Sequence, residues 1–191
     1  MTGLPTTAAR VFARRRIMQV TPDGYLAAIQ LLAEAAQLRH GPITAVIGIA
    51  NGGLAPAQAL GALLTAPVYR VDAQHNSTDA LYTQANGHVT YDLLPLASAL
   101  AGQRLTGRIL LVDDICGTGA TFHALRPALD SHLACGATIN TVVLCRNAGA
   151  VHEPDLWLWT VDDWVRFPWE PVLPPGVAVE NLVLPGRVQP Q

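Results

Sequence analysis

The chain has 191 residues and a mass of 20.3 kDa, enough for one domain with a small appendage and too little for two. Half of the residues are hydrophobic and 14% are charged, which excludes a disordered chain. All twelve basic residues are arginine, so chemistry built on a lysine is excluded, and a formal net charge of -2 argues against a nucleic-acid surface.

The cysteines are Cys116, Cys135 and Cys145, an odd number with no Cys-x-x-Cys pair. Neither a disulfide framework nor a zinc site is expected, and a reducing cytoplasmic compartment fits. No run of 18 apolar residues occurs, so no membrane span is expected. The N-terminus lacks the apolar stretch of a signal peptide.

Residues 1–16 form a polar arm ending in Arg14-Arg15-Arg16, a run that usually lies in solvent. Residues 17–20 fit a short edge strand. Thr21-Pro22-Asp23 is a helix start, with a capping hydroxyl, a proline where an N–H is not needed and an acid in the first turn. That helix should run to about Leu38, before Gly41-Pro42. Residues 45–50 read as a buried strand, apolar on both faces. Asn51-Gly52-Gly53 breaks it, and residues 54–64 read as a helix. Residues 67–71 are another strand. Residues 73–92 are polar and centred on Asn86-Gly87, with Val89, Tyr91 and Leu93 alternating beyond it, which predicts a hairpin flap. Residues 108–112 form a third buried strand, residues 120–133 a helix, residues 138–144 a fourth strand and residues 157–161 a fifth. The proline-rich tail from Pro168 should be mostly irregular.

Strands alternating with helices predict a single α/β domain with a parallel sheet of about five strands. Ligands of such sheets bind beyond the carboxyl ends of the strands. The loops at 50–53, 113–121 and 145–149 leave those ends.

The strongest motif is Val112-Asp113-Asp114-Ile115-Cys116-Gly117-Thr118-Gly119-Ala120-Thr121. An apolar strand delivers two carboxylates. A glycine turn, two hydroxyls and a helix N-terminus then make a phosphate cradle, because backbone N–H groups and the helix dipole favour an anion. The carboxylates suit sugar hydroxyls, a metal ion or developing positive charge. Without lysine this is no Walker A loop, and the acids precede the turn, unlike a dinucleotide-binding fingerprint. A second strand-to-helix turn, Asn51-Gly52-Gly53, is weak alone but suggests a second anion site on the same sheet edge. In Asp163-Trp164-Val165-Arg166-Phe167-Pro168-Trp169-Glu170, tryptophans beside a proline usually plug a core, but Trp164 could stack on a flat ring. Cys116 reads as a small buried hydrophobe, His40, His132 and His152 as surface residues, and His123 as a lesser candidate beside the cradle.

Residues 112–121 resemble the signature of type I phosphoribosyltransferases, and residues 48–57 resemble their pyrophosphate loop. Residues 164–170 resemble the hood that covers the base in the xanthine–guanine branch. The resemblance covers about residues 40–172. It implies a hooded five-stranded core, magnesium, 5-phosphoribosyl 1-diphosphate as donor, a nitrogenous base as acceptor and a homodimer. It implies that Asp113 and Asp114 serve the ribose and the metal, and that Cys116, Gly117, Thr118, Gly119, Ala120 and Thr121 bind the 5-phosphate. Asn51, Gly52 and Gly53 would meet the diphosphate, Arg146, Trp164 and Val165 the base, and His75, Ser77 and Tyr82 would lie in a closing loop. The 6-oxopurine members usually have an aspartate where this chain has Gly117, and a basic residue where it has Asn51. Two readings stay open beside transfer: a non-catalytic nucleotide-binding regulator, and an enzyme that cleaves or exchanges the base of a nucleotide.

Overall fold

The computed structural model describes residues 9–75, 81–84, 88–173 and 176–190. Its main sheet is built from β2 (Ile43–Ala50), β3 (Val68–Gln74), β4 (Thr90–Asp92), β5 (Arg108–Cys116), β6 (Thr138–Asn147) and β7 (Trp159–Val161). The order is β4-β3-β2-β5-β6-β7, with every pair parallel except β3 with β4. The five parallel strands are those the apolar runs predict.

Those runs are continuous because both faces of the sheet are covered. Val46, Leu110 and Leu144 face one side, where they pack with Leu32 of α1 (Pro22–His40) and Leu60 of α2 (Leu54–Leu64). Ile47 and Leu111, one residue further along their strands, face the other side. There they meet Leu96 of α3 (Leu94–Leu100) and Leu125 of α4 (Ala120–Leu129). α1 starts as expected, with the Gly24 N–H donating to Thr21 Oγ1 at 3.0 Å, but continues to His40.

The chain leaves β2 through α2 toward β3 and leaves β5 through α4 toward β6, in opposite directions along the sheet. β2 and β5 are neighbours, with Gly48 opposite Val112. A crevice therefore opens beyond their carboxyl ends, where the two glycine turns lie.

Several expectations need correction. The segment at 17–20 is no edge: β1 (Ile17–Gln19) is the middle strand of a second sheet, between β8 (Trp164–Arg166) and β9 (Val179–Asn181). The proline-rich tail thus supplies a strand, because β1 offers it a free ladder edge and β9 lies in the tail's longest proline-free stretch, residues 176–184. The helix after the cradle stops at Leu129 and tightens into a 3-10 turn at Asp130–His132. Helix α3 lay in a stretch with no predicted element. The base of the predicted flap is the antiparallel pair Gln74 with Thr90 and Asp72 with Asp92. Its Asn86-Gly87 turn and Ser77 lie outside the described residues.

Candidate active site

Asp113 and Asp114 lie near the carboxyl end of β5, followed in the strand by Ile115 and Cys116, and are half-buried and adjacent. The Asp113 carboxylate accepts the Asp114 N–H at 3.0 Å, and the two side chains remain within reach of each other. Burial pushes both carboxyls up, Asp113 well above its ordinary value with the Asp114 charge adding to it, and Asp114 to about 6. Among the described residues neither has an ion-pair partner within 4 Å, and no group of three potential metal-binding side chains occurs.

The two glycine turns close on these acids. A Cβ on Gly52 would stand 2.1 Å from Asp114 Oδ2, and one on Gly53 would stand 2.3 Å from the Val112 carbonyl oxygen. The pair is therefore a requirement of close approach, which the motif alone did not establish. The exposed Asn51 side chain begins that loop, after a cis Ala50–Asn51 peptide.

The cradle is tightly built. Gly119 has φ +87, and a Cβ there would meet the His152 carbonyl oxygen at 2.2 Å. Thr118 is buried, and its carbonyl accepts the N–H groups of Val151 and His152 at 3.1 and 3.3 Å. Its hydroxyl accepts the Ala120 N–H at 3.3 Å. Thr121 stands in the first turn of α4. A small cleft opens here, lined by His75, Asp113, Gly117, Thr118, Gly119 and Thr121 among others. Cys116 is buried, donates to the His152 carbonyl at 3.4 Å, and has its thiol pushed up to about 12 by burial and by Asp113. His123 is turned outward and stacks on His152, ring centroids 4.3 Å apart.

The hood divides by role. Trp169 stacks on buried Phe167 at 5.0 Å and meets Tyr25 of α1 edge-on at 5.4 Å, so it is the core plug. Val165 is buried, and its backbone belongs to the β8 ladder. Trp164 is half-buried on the site side, with Phe12 and Tyr82 ring centroids each 6.2 Å away. Arg146 follows Cys145 at the end of β6, with Cys116 opposite it. Its guanidinium is held by Glu153 at 2.6 Å and by the Ala150 carbonyl at 3.3 Å, and sits over Trp157.

The arm is where the sequence reading was least informative. Residues 9–15 are laid across the site, and Arg10 reaches Gly117 and the Trp164 ring. Arg16 is not solvated but pairs with Asp162, Asp163 and Glu180. Only Phe12, a lone aromatic in a polar stretch, hinted that the arm packs on anything.

Residues 20–175 match the family model of the phosphoribosyl transferase domain. The chain belongs to that family. Among solved structures, a purine phosphoribosyltransferase from Pyrococcus horikoshii is 23% identical, with 83% of this chain and 98% of that one covered and a TM-score of 0.65. A xanthine-guanine-hypoxanthine phosphoribosyltransferase from Helicobacter pylori is 20% identical, covered 81% and 94%, TM-score 0.65. A hypothetical protein from Neisseria gonorrhoeae with bound ppGpp is 25% identical, covered 83% and 91%, TM-score 0.59. All three share the fold of this phosphoribosyl transferase domain. No described helix is long and apolar enough to cross a membrane.

Proposed function

We propose that this domain transfers a 5-phosphoribosyl group from 5-phosphoribosyl 1-diphosphate to a ring nitrogen of a purine-like base, releasing diphosphate. The observation that carries this reading is the Asp113-Asp114 pair, set between the cradle at 117–121 and the Gly52-Gly53 turn that touches Asp114. One phosphate site and one diphosphate site flank a pair of carboxylates, which is the order of groups along the donor.

The cradle N–H groups and the Thr121 hydroxyl hold the 5-phosphate at the start of α4, where the helix dipole favours it. The Asn51-Gly52-Gly53 turn receives the diphosphate. The two carboxylates, raised and without an ion-pair partner among the described residues, fit a divalent cation whose remaining ligands come from the donor. Magnesium bound there would neutralise charge on the departing diphosphate. As the bond from the ribose carbon to the diphosphate oxygen lengthens, the ribose gains positive charge, and Asp113 and Asp114 stabilise it. The ring nitrogen then bonds to that carbon, and its proton needs an acceptor. His75 lines the same cleft, its Nε2 is buried without a hydrogen-bond partner among the described residues, and burial lowers its basicity, which favours the neutral ring. It is positioned to take that proton. Trp164 offers its face to the acceptor ring.

The test is to supply donor, magnesium and a panel of bases and to follow diphosphate. Release that depends on one base supports transfer. Tight nucleotide binding with no release under any base favours a regulator instead, the reading that the ppGpp-bound relative supports.

A further inference from the structure

Residues 9–15 cross the mouth of the site as a strap, bent at 13–14 and held mostly through its backbone. The Arg10 N–H donates to Gln84 Oε1 at 2.9 Å, and Gln84 Nε2 donates to the Arg10 carbonyl at 2.7 Å. Buried Asn147 grips Val11 in the same two-handed way, at 2.7 and 3.0 Å. The Ala13 N–H donates to the Asp162 carbonyl at 2.7 Å, the Arg14 N–H to Asp163 Oδ2 at 2.9 Å, and the Tyr82 hydroxyl to the Arg15 carbonyl at 2.6 Å. Two partners lie between β3 and β4 and the others at the ends of β6 and β7, so the strap joins both sides of the crevice.

This track delivers one side chain inward. Arg10 Cδ lies 3.1 Å, and its Nε 3.4 Å, from where a Cβ on Gly117 would be. Its guanidinium carbon stands 5.3 Å from the Trp164 centroid and 5.4 Å from that of Phe12. Asp114 and His75 are the titratable groups that face it across the cleft, together with the thiols of Cys116 and Cys145 beneath. The Nε of Arg10 is buried and has no hydrogen-bond partner among the described residues. A buried guanidinium N–H without a partner is costly, and a ligand that accepts from it removes the cost.

We infer that Arg10 is an acceptor-recognition residue, and that the base taken by this site presents a hydrogen-bond-accepting or anionic group, above all a ring carboxylate, toward Gly117. A guanidinium only donates, and Gly117 adds no side chain of its own at that edge. A ring laid on Trp164 therefore meets a donor there, and a ring N–H or an amide N–H turned to the same edge would face like polarity. The fork also suits a carboxylate in particular. This inference rests on the transfer reading, since it takes Trp164 as the platform for the acceptor, and it replaces the purine-like ring of that reading by a smaller carboxylated one.

The experiment uses the full chain and two matched pairs of rings, nicotinate with nicotinamide and orotate with uracil. Calorimetric binding is measured in the presence of donor and magnesium, and diphosphate release is followed in parallel. The carboxylated member of at least one pair is expected to bind about tenfold more tightly, the size of one charge-assisted hydrogen bond. Arg10→Ala should erase that preference and leave donor affinity unchanged, Arg10→Lys should restore only part of it, and Gln84→Ala, which loosens the strap, should weaken it. Tighter ring binding in Arg10→Ala would show that the strap is a plug, and equal loss of donor and ring would make Arg10 a residue of the 5-phosphate cradle at 117–121. Either result overturns the inference, as does a wild-type protein that prefers the neutral rings or binds neither member at millimolar concentration. Arg10-dependent binding without diphosphate release under any base would leave the inference standing and remove the transfer reading.

Discussion

Two adjacent carboxyls at the end of β5 are expensive in the empty protein. Burial raises both, and the Asp114 charge raises Asp113 further. A carboxyl raised from 3.8 to about 6, as Asp114 is, holds its proton more tightly folded than unfolded. Its contribution to stability is then fullest below about pH 4 and is lost as the pH rises through about 6. Asp114→Asn removes the charge with almost no change in shape. It should melt above the parent at about pH 7–8, with the gap closing below about pH 4. It should also lose turnover a hundredfold or more, about 3 kcal/mol for one preorganised electrostatic group. Melting curves across pH and a diphosphate assay read both effects, and near-normal turnover in the folded variant would take Asp114 out of the reaction. The cysteines give a second prediction. Cys116 and Cys145 are buried with raised thiols, whereas Cys135 is exposed. Iodoacetamide on the native protein should therefore label Cys135 and spare the other two until denaturant is added, as peptide mass mapping would show. Early labelling of Cys116 would mean that the cradle opens readily.

At the scale of elements, the turns are more constrained than their composition suggests. Gly53→Ala would press a methyl into the Val112 carbonyl, and neither backbone can move far. The expected loss is about 1–3 kcal/mol in denaturant unfolding, together with weaker donor binding. Thr21→Ala is the contrasting case. It removes the hydroxyl that caps α1, for about 1 kcal/mol, and should leave donor affinity untouched. If both variants lost donor binding alike, the Gly53 effect would be global destabilisation and not loss of the turn. Legibility followed the same division. β2, β5 and α2 were readable because each carries its own signal: continuous apolar residues, or an alanine- and leucine-rich run between turns. β1 was readable as a strand but not as the middle of a sheet, and β9 was not readable at all, since three residues pair only when a distant partner arrives. α3 has seven residues and no side-chain cap, so its helical form depends on burying Leu96 and Leu100 against the sheet.

For the whole molecule, binding and stability are linked. Donor and magnesium at about 100 times the dissociation constant should add about 2.7 kcal/mol to unfolding, visible as a higher melting temperature that donor alone reproduces poorly. An unchanged melting curve would contradict a donor site that relies on metal, arginine and backbone for its charge. The sequence by itself determined the α/β class, the five parallel strands and the cradle with its two acids, because each of these is written in contiguous residues whose local chemistry points one way. It also placed the two glycine turns on one edge, since parallel strands expose their following loops on the same side. Only the tertiary structure decided what surrounds Arg146, the two hood tryptophans and the arm. It turned Arg146 to Glu153, made Trp169 the plug and left Trp164 on the site. It also drew Arg10 from a featureless arm to Gly117 through Gln84 and Asn147, more than 70 and 130 residues away. Those contacts are backbone hydrogen bonds to side chains distant in sequence, and neither periodicity nor spacing records which distant amide a strap will meet.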